Sequence, residues 1–264
     1  MSSGDPGTLR LAVTGAGGRM GREVIEAAAD REGMSVVLAV NRSETEPVAG
    51  VAVDPASEFA DRLAAVDPDV AVDFTGPASA LAYADACADA DVPLVTGTTG
   101  FSGDELAKLQ EAASSVPVLK AANFSRGVAA LRRAVREAVA ALPGYDVEVT
   151  ETHHNGKRDA PSGTANTILA DVEDVREDLS PDGRVHGREG HAPREPGEIG
   201  VHARRAGDVT GEHEVLLADN HEVLELVHRA GDRGVFAAGA LDAAGWLADR
   251  EAGWYTFDDV IDGS

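Results

Sequence analysis

Along the first 125 residues, short apolar runs rich in β-branched residues alternate with helical patterns, the signature of a parallel sheet joined by crossover helices. The runs LRLAVTG (9–15), MSVVLAV (34–40), PDVAVDFT (68–75), VPLVTG (92–97) and VPVLKAA (116–122) predict five strands. Helices are expected to begin near Arg19, at Pro77, a favoured first helical residue, and after Ser102, which Glu105 follows three residues later as a capping box. Such alternation predicts an α/β, Rossmann-like doubly wound parallel sheet.

Past Val128 an Arg- and Ala-rich helix runs to Leu142, where Pro143-Gly144 stops it. The period then changes. DVEVTETHH alternates as a strand does, residues 163–174 return to a helical pattern, and residues 176–198, rich in Asp, Gly, Pro and Arg, read as a long loop. GEIGVHARRAG, EHEVLLAD and HEVLELVHRA predict a run of antiparallel strands. The second half is therefore expected to be a separate α+β domain with a mostly antiparallel sheet. The last helical pattern, residues 234–250, fits either domain.

Composition narrows the setting. The 264 residues suffice for one large domain or two ordinary ones. The single cysteine, Cys87, excludes a disulfide framework and a cysteine metal cluster, and a reducing cytoplasm is the simplest location. The first residues lack a basic region followed by a long apolar stretch, and no run reaches the ~18 apolar residues of a membrane span. Net charge is −23, from 46 acids against 23 bases. That field repels polyanions, so neither nucleic acid nor an anionic membrane is expected as a partner. Acids spread through the whole chain, with lysine scarce, predict a halophilic protein that stays hydrated at very high salt, where the Debye length is about 3 Å.

Candidate chemistry starts in VTGAGGRMG (13–21), between the first strand and the first helix. There a dinucleotide fold cradles pyrophosphate on backbone N–H groups and a helix N-terminus. Gly15 permits the tight turn, Gly17 lets a phosphate approach the backbone, and Gly21 lets the helix pack on the strand; the spacing is the G-x-G-x-x-x-G variant. Cofactor choice is read at the end of the second strand, here Asn41 and Arg42. With no carboxylate and one guanidinium, helped by Arg19, the reading favours NADPH, with NADH use possible. Gly97-Thr98-Thr99 and Ala121-Ala122-Asn123-Phe124 follow two further strands, at the carboxyl ends where open α/β sheets bind ligands.

The densest stretch is ETHHNGKRDAPSGTA (151–165). Lys157 offers a compact cation, His154 a donor, and Ser162-Gly163-Thr164 a hydroxyl and free N–H groups at a helix start, a set suited to a carboxylate. His153 is a candidate general acid near neutral pH. Glu151 and Asp159 are placed to orient these groups, and Arg158 to be solvated. A metal site is the rival reading, though adjacent histidines are a less usual pairing than i, i+4 on a helix.

Residues 15–21 (GAGGRMG), 73–75 (DFT), 97–101 (GTTGF), 121–127 (AANFSRG), 151–165 and 205–213 (RAGDVTGEH) follow the order seen in 4-hydroxy-tetrahydrodipicolinate reductases, and the chain resembles that family over nearly its whole length. The resemblance implies NAD(P)H-dependent reduction of a dicarboxylate ring with loss of water, in lysine and diaminopimelate biosynthesis. It implies a dinucleotide-binding domain of residues 1–125 and 232–264, and a substrate-binding and homotetramer-forming domain of residues 126–231. Gly15, Ala16, Gly17, Gly18, Arg19 and Met20 would line the cofactor, with Gly97, Thr98, Thr99, Ala121, Ala122, Asn123 and Phe124. His153 would be proton donor and acceptor and Lys157 the second proton donor. His154 and Gly163-Thr164 would contact the substrate carboxylates. At Asn41 the chain departs from relatives that carry an acid favouring NADH. Another two-domain NAD(P) dehydrogenase, and a nucleotide-sensing binding protein, remain as alternatives that an assay separates.

Overall fold

The computed structural model describes residues 7–263. In chain order the first elements are β1 (Leu9–Thr14), α1 (Arg19–Ala29), β2 (Met34–Asn41), β3 (Asp54–Pro55), α2 (Phe59–Val66), β4 (Val70–Asp73), α3 (Pro77–Ala90), β5 (Leu94–Thr96), α4 (Gly103–Ala112) and β6 (Pro117–Lys120). There follow α5 (Arg126–Ala141), β7 (Asp146–His153), α6 (Gly163–Val175), β8 (Arg184–His186), β9 (Ile199–Arg205), β10 (Gly211–Asp219) and β11 (Glu222–Ala230). The chain ends with α7 (Gly234–Leu247), β12 (Gly253–Tyr255) and α8 (Phe257–Asp262). Two compact units result, one made of the chain up to Ser125 with the segment from Arg233, the other of Arg126–Asp232.

The first unit is built on a seven-stranded sheet in the order β12-β6-β5-β4-β1-β2-β3, with every pairing parallel. Helices cover both faces, so the central strands are apolar without alternation: Leu11, Ala12 and Val13 of β1 are fully buried. One face packs Ala12, Leu38, Ala71, Leu94 and Val118 against Phe59 and Leu63 of α2, Tyr83 of α3 and Leu109 of α4. The other face carries α1 and α7, which settles the last helical pattern in this unit. Pro77 and the Ser102–Glu105 capping box start α3 and α4 as their chemistry dictates. The chain runs outward from β1 in both directions, to β2 on one side and β4 on the other. That reversal is the switch point where such sheets bind ligands.

The second unit has five strands in the order β11-β10-β7-β9-β8. β10 pairs antiparallel with β11 and β7, while β7–β9 and β9–β8 are parallel. The sheet is thus mixed, because α6 and the following segment carry the chain across before β8 and β9 return in the same direction as β7. Residues 176–198 are largely loop, interrupted by β8. α5 and α6 cover one face, where Val135 and Ile168 meet Val147, Val149, Val201, Val215 and Leu217. At the sheet edge, β11 leaves Val223 61% exposed. Among the described residues no helix is long and apolar enough to cross a membrane, and no group of three or more His, Cys, Asp or Glu is arranged to hold a metal ion.

Candidate active site

In the first unit, β1 delivers the chain to the glycine-rich turn. Gly15 has φ of 72°, in the left-handed region, and a Cβ there would lie 2.9 Å from the Phe74 carbonyl oxygen. A Cβ on Gly21 would run into the Gly15 carbonyl, which is the close helix packing expected of that position. Gly17 differs in its reason. Its missing Cβ makes room for the Asn41 amide and the Thr45 hydroxyl, 2.6 and 2.7 Å from where it would sit, so the turn is pinned by the end of β2. Ala16 is buried and donates to the Val40 carbonyl, whereas Met20 is half-buried and Arg19 is exposed. α1 starts after Gly18 with no side-chain cap and no acid in its first turn. Its first N–H groups therefore remain open to an anion, and the helix dipole favours one.

A cavity of about 340 Å³ opens on this turn, lined by Gly15, Gly18, Asn41 and Arg42 together with Phe74–Gly76, Ser79 and Tyr83. The α3 residues Ser79 and Tyr83 carry no signature in the sequence and emerge only from the packing of α3 on the sheet. Asn41 donates its amide to the Ser43 carbonyl and the Thr45 hydroxyl, each at 2.9 Å, so it shapes the loop after β2. The Tyr83 phenol is pushed up by burial and by the charge of Asp73, with Arg42 opposing. Gly97 has no room for a Cβ against the Phe74 ring. Thr98 is buried and Thr99 exposed. The next loop lies alongside, Ala121 donating to the Thr96 carbonyl at 3.1 Å; Ala122 is exposed and Asn123 accepts from the Ser125 N–H at 2.8 Å. Phe124 is buried in the core, edge-on to Phe74 and Phe257, so its ring is not open to a ligand. A tight turn, an uncapped helix start and a cavity free of carboxylates fit a dinucleotide.

In the second unit the site grows out of strand alternation. Val147, Val149, Glu151 and His153 point to the helix-covered face of β7, the middle strand. The first two are core; the row then turns polar, with His213 of β10 opposite Glu151 and Arg205 of β9 opposite His153. Buried polar groups need partners, and these supply one another. Glu151, 1% exposed, binds His153 Nδ1 with one oxygen; the other accepts from Arg205 at 2.8 Å and from the Ser162 N–H at 3.3 Å. Burial alone would raise the Glu151 carboxyl, but Arg205 and His153 hold it below its ordinary value. His153 is pushed down by burial and by the charges of Lys157 and Arg205, against the pull of Glu151. Its ring has space because β10 begins with Gly211, whose absent Cβ would lie 3.1 Å from Nε2.

β7 ends at His153, so His154 leaves the strand and is half-buried. The Lys157 ammonium pairs with Asp159 at 2.9 Å, and the Asp159 carbonyl accepts from Arg205. Ser162 caps α6 through its hydroxyl to the Ala165 N–H at 3.2 Å, with His213 Nε2 at 3.3 Å. That hydroxyl is buried and committed. Gly163 is exposed with open space around its Cα, and Thr164 is half-buried beside it. Arg205 and His213 complete this cluster from distant strands; the only trace in the sequence was the run RAGDVTGEH. No metal-type clustering accompanies the two histidines among the described residues.

Residues 9–124 match the family description "Dihydrodipicolinate reductase, N-terminus" and residues 127–261 match "Dihydrodipicolinate reductase, C-terminus". The chain is 57% identical to the 4-hydroxy-tetrahydrodipicolinate reductase of Haloarcula marismortui, over 96% of this chain and 99% of that one. It is 54% identical to the enzyme of the same name from Natronomonas pharaonis, over 96% and 100%. Among solved structures, a dipicolinate-bound dihydrodipicolinate reductase from Paenisporosarcina sp. TG-14 shares the fold, with TM-score 0.76 and 23% identity over 94% of this chain and 97% of that one.

Proposed function

The chain belongs to the dihydrodipicolinate reductase family, and on that premise we propose the task of each group in its two units. The reaction is NAD(P)H-dependent reduction of 4-hydroxy-tetrahydrodipicolinate to tetrahydrodipicolinate with loss of water, in lysine and diaminopimelate biosynthesis. The reduced nicotinamide, when bound, supplies the hydride. The glycine-rich turn and the uncapped start of α1 hold the pyrophosphate, and residues 97–99 and 121–124 line the remainder of the cofactor. Arg42 receives a 2′-phosphate, so NADPH is preferred and NADH is the poorer donor. This assignment is supported by the absence of a carboxylate among the residues lining the cavity. Comparing kcat/KM for the two cofactors tests it, and a preference for NADH by about tenfold, ~1.4 kcal/mol, overturns it.

His153 moves the proton. Glu151 accepts from Nδ1–H and sets the tautomer, which leaves Nε2 as the nitrogen that exchanges a proton with the substrate. Lys157 is the second proton donor and a carboxylate ligand, with the substrate taking the place Asp159 holds. His154, the Gly163 N–H and Thr164 bind the carboxylates at the start of α6, while Ser162 serves through its cap. The exposed apolar positions of β11 support a homotetramer formed through this sheet.

The observation that carries the reading is a buried Glu151–His153 pair ending a core row next to an open helix start. The test supplies the aldol product of pyruvate and aspartate semialdehyde and follows NADPH absorbance. His153→Gln lowers kcat by about 100-fold or more with little change in KM, and Lys157→Ala damages both. Because the active form of His153 is the protonated one, kcat/KM falls as pH rises through a value below the ordinary histidine value of about 6.5. No turnover at any salt with cofactor binding intact, or unchanged kcat in both variants, refutes the assignment.

A further inference from the structure

Asp73 ends β4 at the switch point and is fully buried, and the ion pairs of the described residues leave it without a cation. Its carboxylate is instead caged by four hydroxyls. Thr14 at the end of β1 donates to Oδ1 at 2.7 Å and Thr75 to the same oxygen at 2.6 Å. Thr96 at the end of β5 and Thr98 in the next loop each donate to Oδ2 at 2.7 Å. In each of the four contacts the hydroxyl gives its proton to the carboxylate. That carboxylate can only accept.

The consequence lies in what each hydroxyl has left. A threonine has one proton, and once Asp73 takes it the oxygen can only accept from any other neighbour. Two of the four already do so within the protein: Thr98 Oγ1 accepts from the Thr75 N–H at 3.0 Å, and Thr96 Oγ1 accepts from the Thr98 N–H at 3.1 Å. Thr75 is the member of the set that lines the cavity above the glycine-rich turn. Its hydroxyl therefore has lone pairs and no proton left to offer a ligand in that cavity.

We propose that Asp73 is a positioning residue for cofactor binding, fixing the Thr75 hydroxyl as an acceptor that takes an O–H or N–H donor of the dinucleotide, such as a ribose hydroxyl. The same polarity disfavours a phosphate oxygen at that spot, so the phosphates are kept to the N–H groups of the turn. This rests on the dinucleotide reading of the cavity. The binding of NADPH to the wild-type protein tests that reading separately.

The experiment measures equilibrium binding of NADPH by fluorescence, without substrate, for wild type, Thr75→Val, Thr75→Ser, Asp73→Asn and the double variant D73N/T75V, with the fold of each monitored by near-ultraviolet circular dichroism. Thr75→Val is expected to weaken NADPH binding about tenfold and Thr75→Ser to retain it. Asp73→Asn, whose amide donates to hydroxyls, should weaken binding comparably, and adding Thr75→Val to it should cost little more, since both changes remove one interaction. Should Asp73→Asn fail to fold, the Val and Ser pair decides alone. Wild-type affinity in Thr75→Val, equal losses in Val and Ser, or fully additive losses in the double variant overturn the proposal. A wild-type protein that binds no NADPH overturns the dinucleotide reading itself.

Discussion

His213 shows how a single side chain can be opaque in the sequence and decisive in the structure. It is 3% exposed, its Nε2 faces the Ser162 hydroxyl, and its Nδ1 is buried without a hydrogen-bond partner. Burial, reinforced by the neighbouring His153, pushes it down to about 4. The unfolded chain, with an ordinary value near 6.5, takes up this proton first as pH falls. The stability it contributes is therefore complete above about pH 6.5 and is lost toward pH 4, a difference of about 3 kcal/mol. Urea unfolding of His213→Gln across that window should show a smaller loss than wild type, and parallel losses would sink the idea. Ser162 was readable as part of a helix start from Ser-Gly-Thr, its hydroxyl read as a substrate ligand, and the cap it forms instead emerged with the structure. Nothing local announces that a histidine 51 residues later faces it. His153, Glu151 and Lys157 were readable because their chemistry is crowded into one stretch, whereas Arg205 joins them only through the register of β7 and β9.

At the scale of elements, legibility followed length and punctuation. α1, α3 and α4 announce themselves by a glycine turn, Pro77 and a capping box, and the five long apolar runs became strands. β3 and β12, of two and three residues, are too short to show a period and exist because a neighbouring strand offers its edge. β9 read as antiparallel because alternation says nothing about direction; its parallel pairing follows from the crossover through α6. The pattern alone also left the placement of α7 open, the resemblance alone implying it, and Gly239 explains how it docks. A Cβ there would collide with the Phe124 carbonyl oxygen and come within 3.2 Å of the Phe257 ring. Gly239→Ala is expected to lower stability by about 1–3 kcal/mol despite the better helix propensity of alanine. Because Phe124 ends the 121–124 loop, NADPH affinity should fall as well. A melting temperature at or above wild type would show that α7 does not press on that loop.

For the whole molecule, a net charge of −23 acts against the ligands proposed for the two sites, since NAD(P)H and a dicarboxylate are anions. The cations proposed to receive them are few and local. Lys157 is one of three lysines, and Arg205 is already engaged by Glu151 at 2.8 Å. At about 0.01 M salt the Debye length is ~30 Å, so acids over the whole surface repel one another and the approaching ligand. At about 1 M it is ~3 Å; surface repulsion is then screened while partly buried contacts such as Arg205–Glu151 are little affected. The melting temperature should therefore climb with KCl over this range, and KM for NADPH should fall rather than rise. The similarity to enzymes of Haloarcula marismortui and Natronomonas pharaonis agrees with that direction. Screening depends on ionic strength and not on ion identity, so NaCl should reproduce the effect of KCl at equal concentration. A melting temperature independent of salt, or a rise seen with one cation alone, would mean that the acidic surface does something other than oppose the folded state and its ligands.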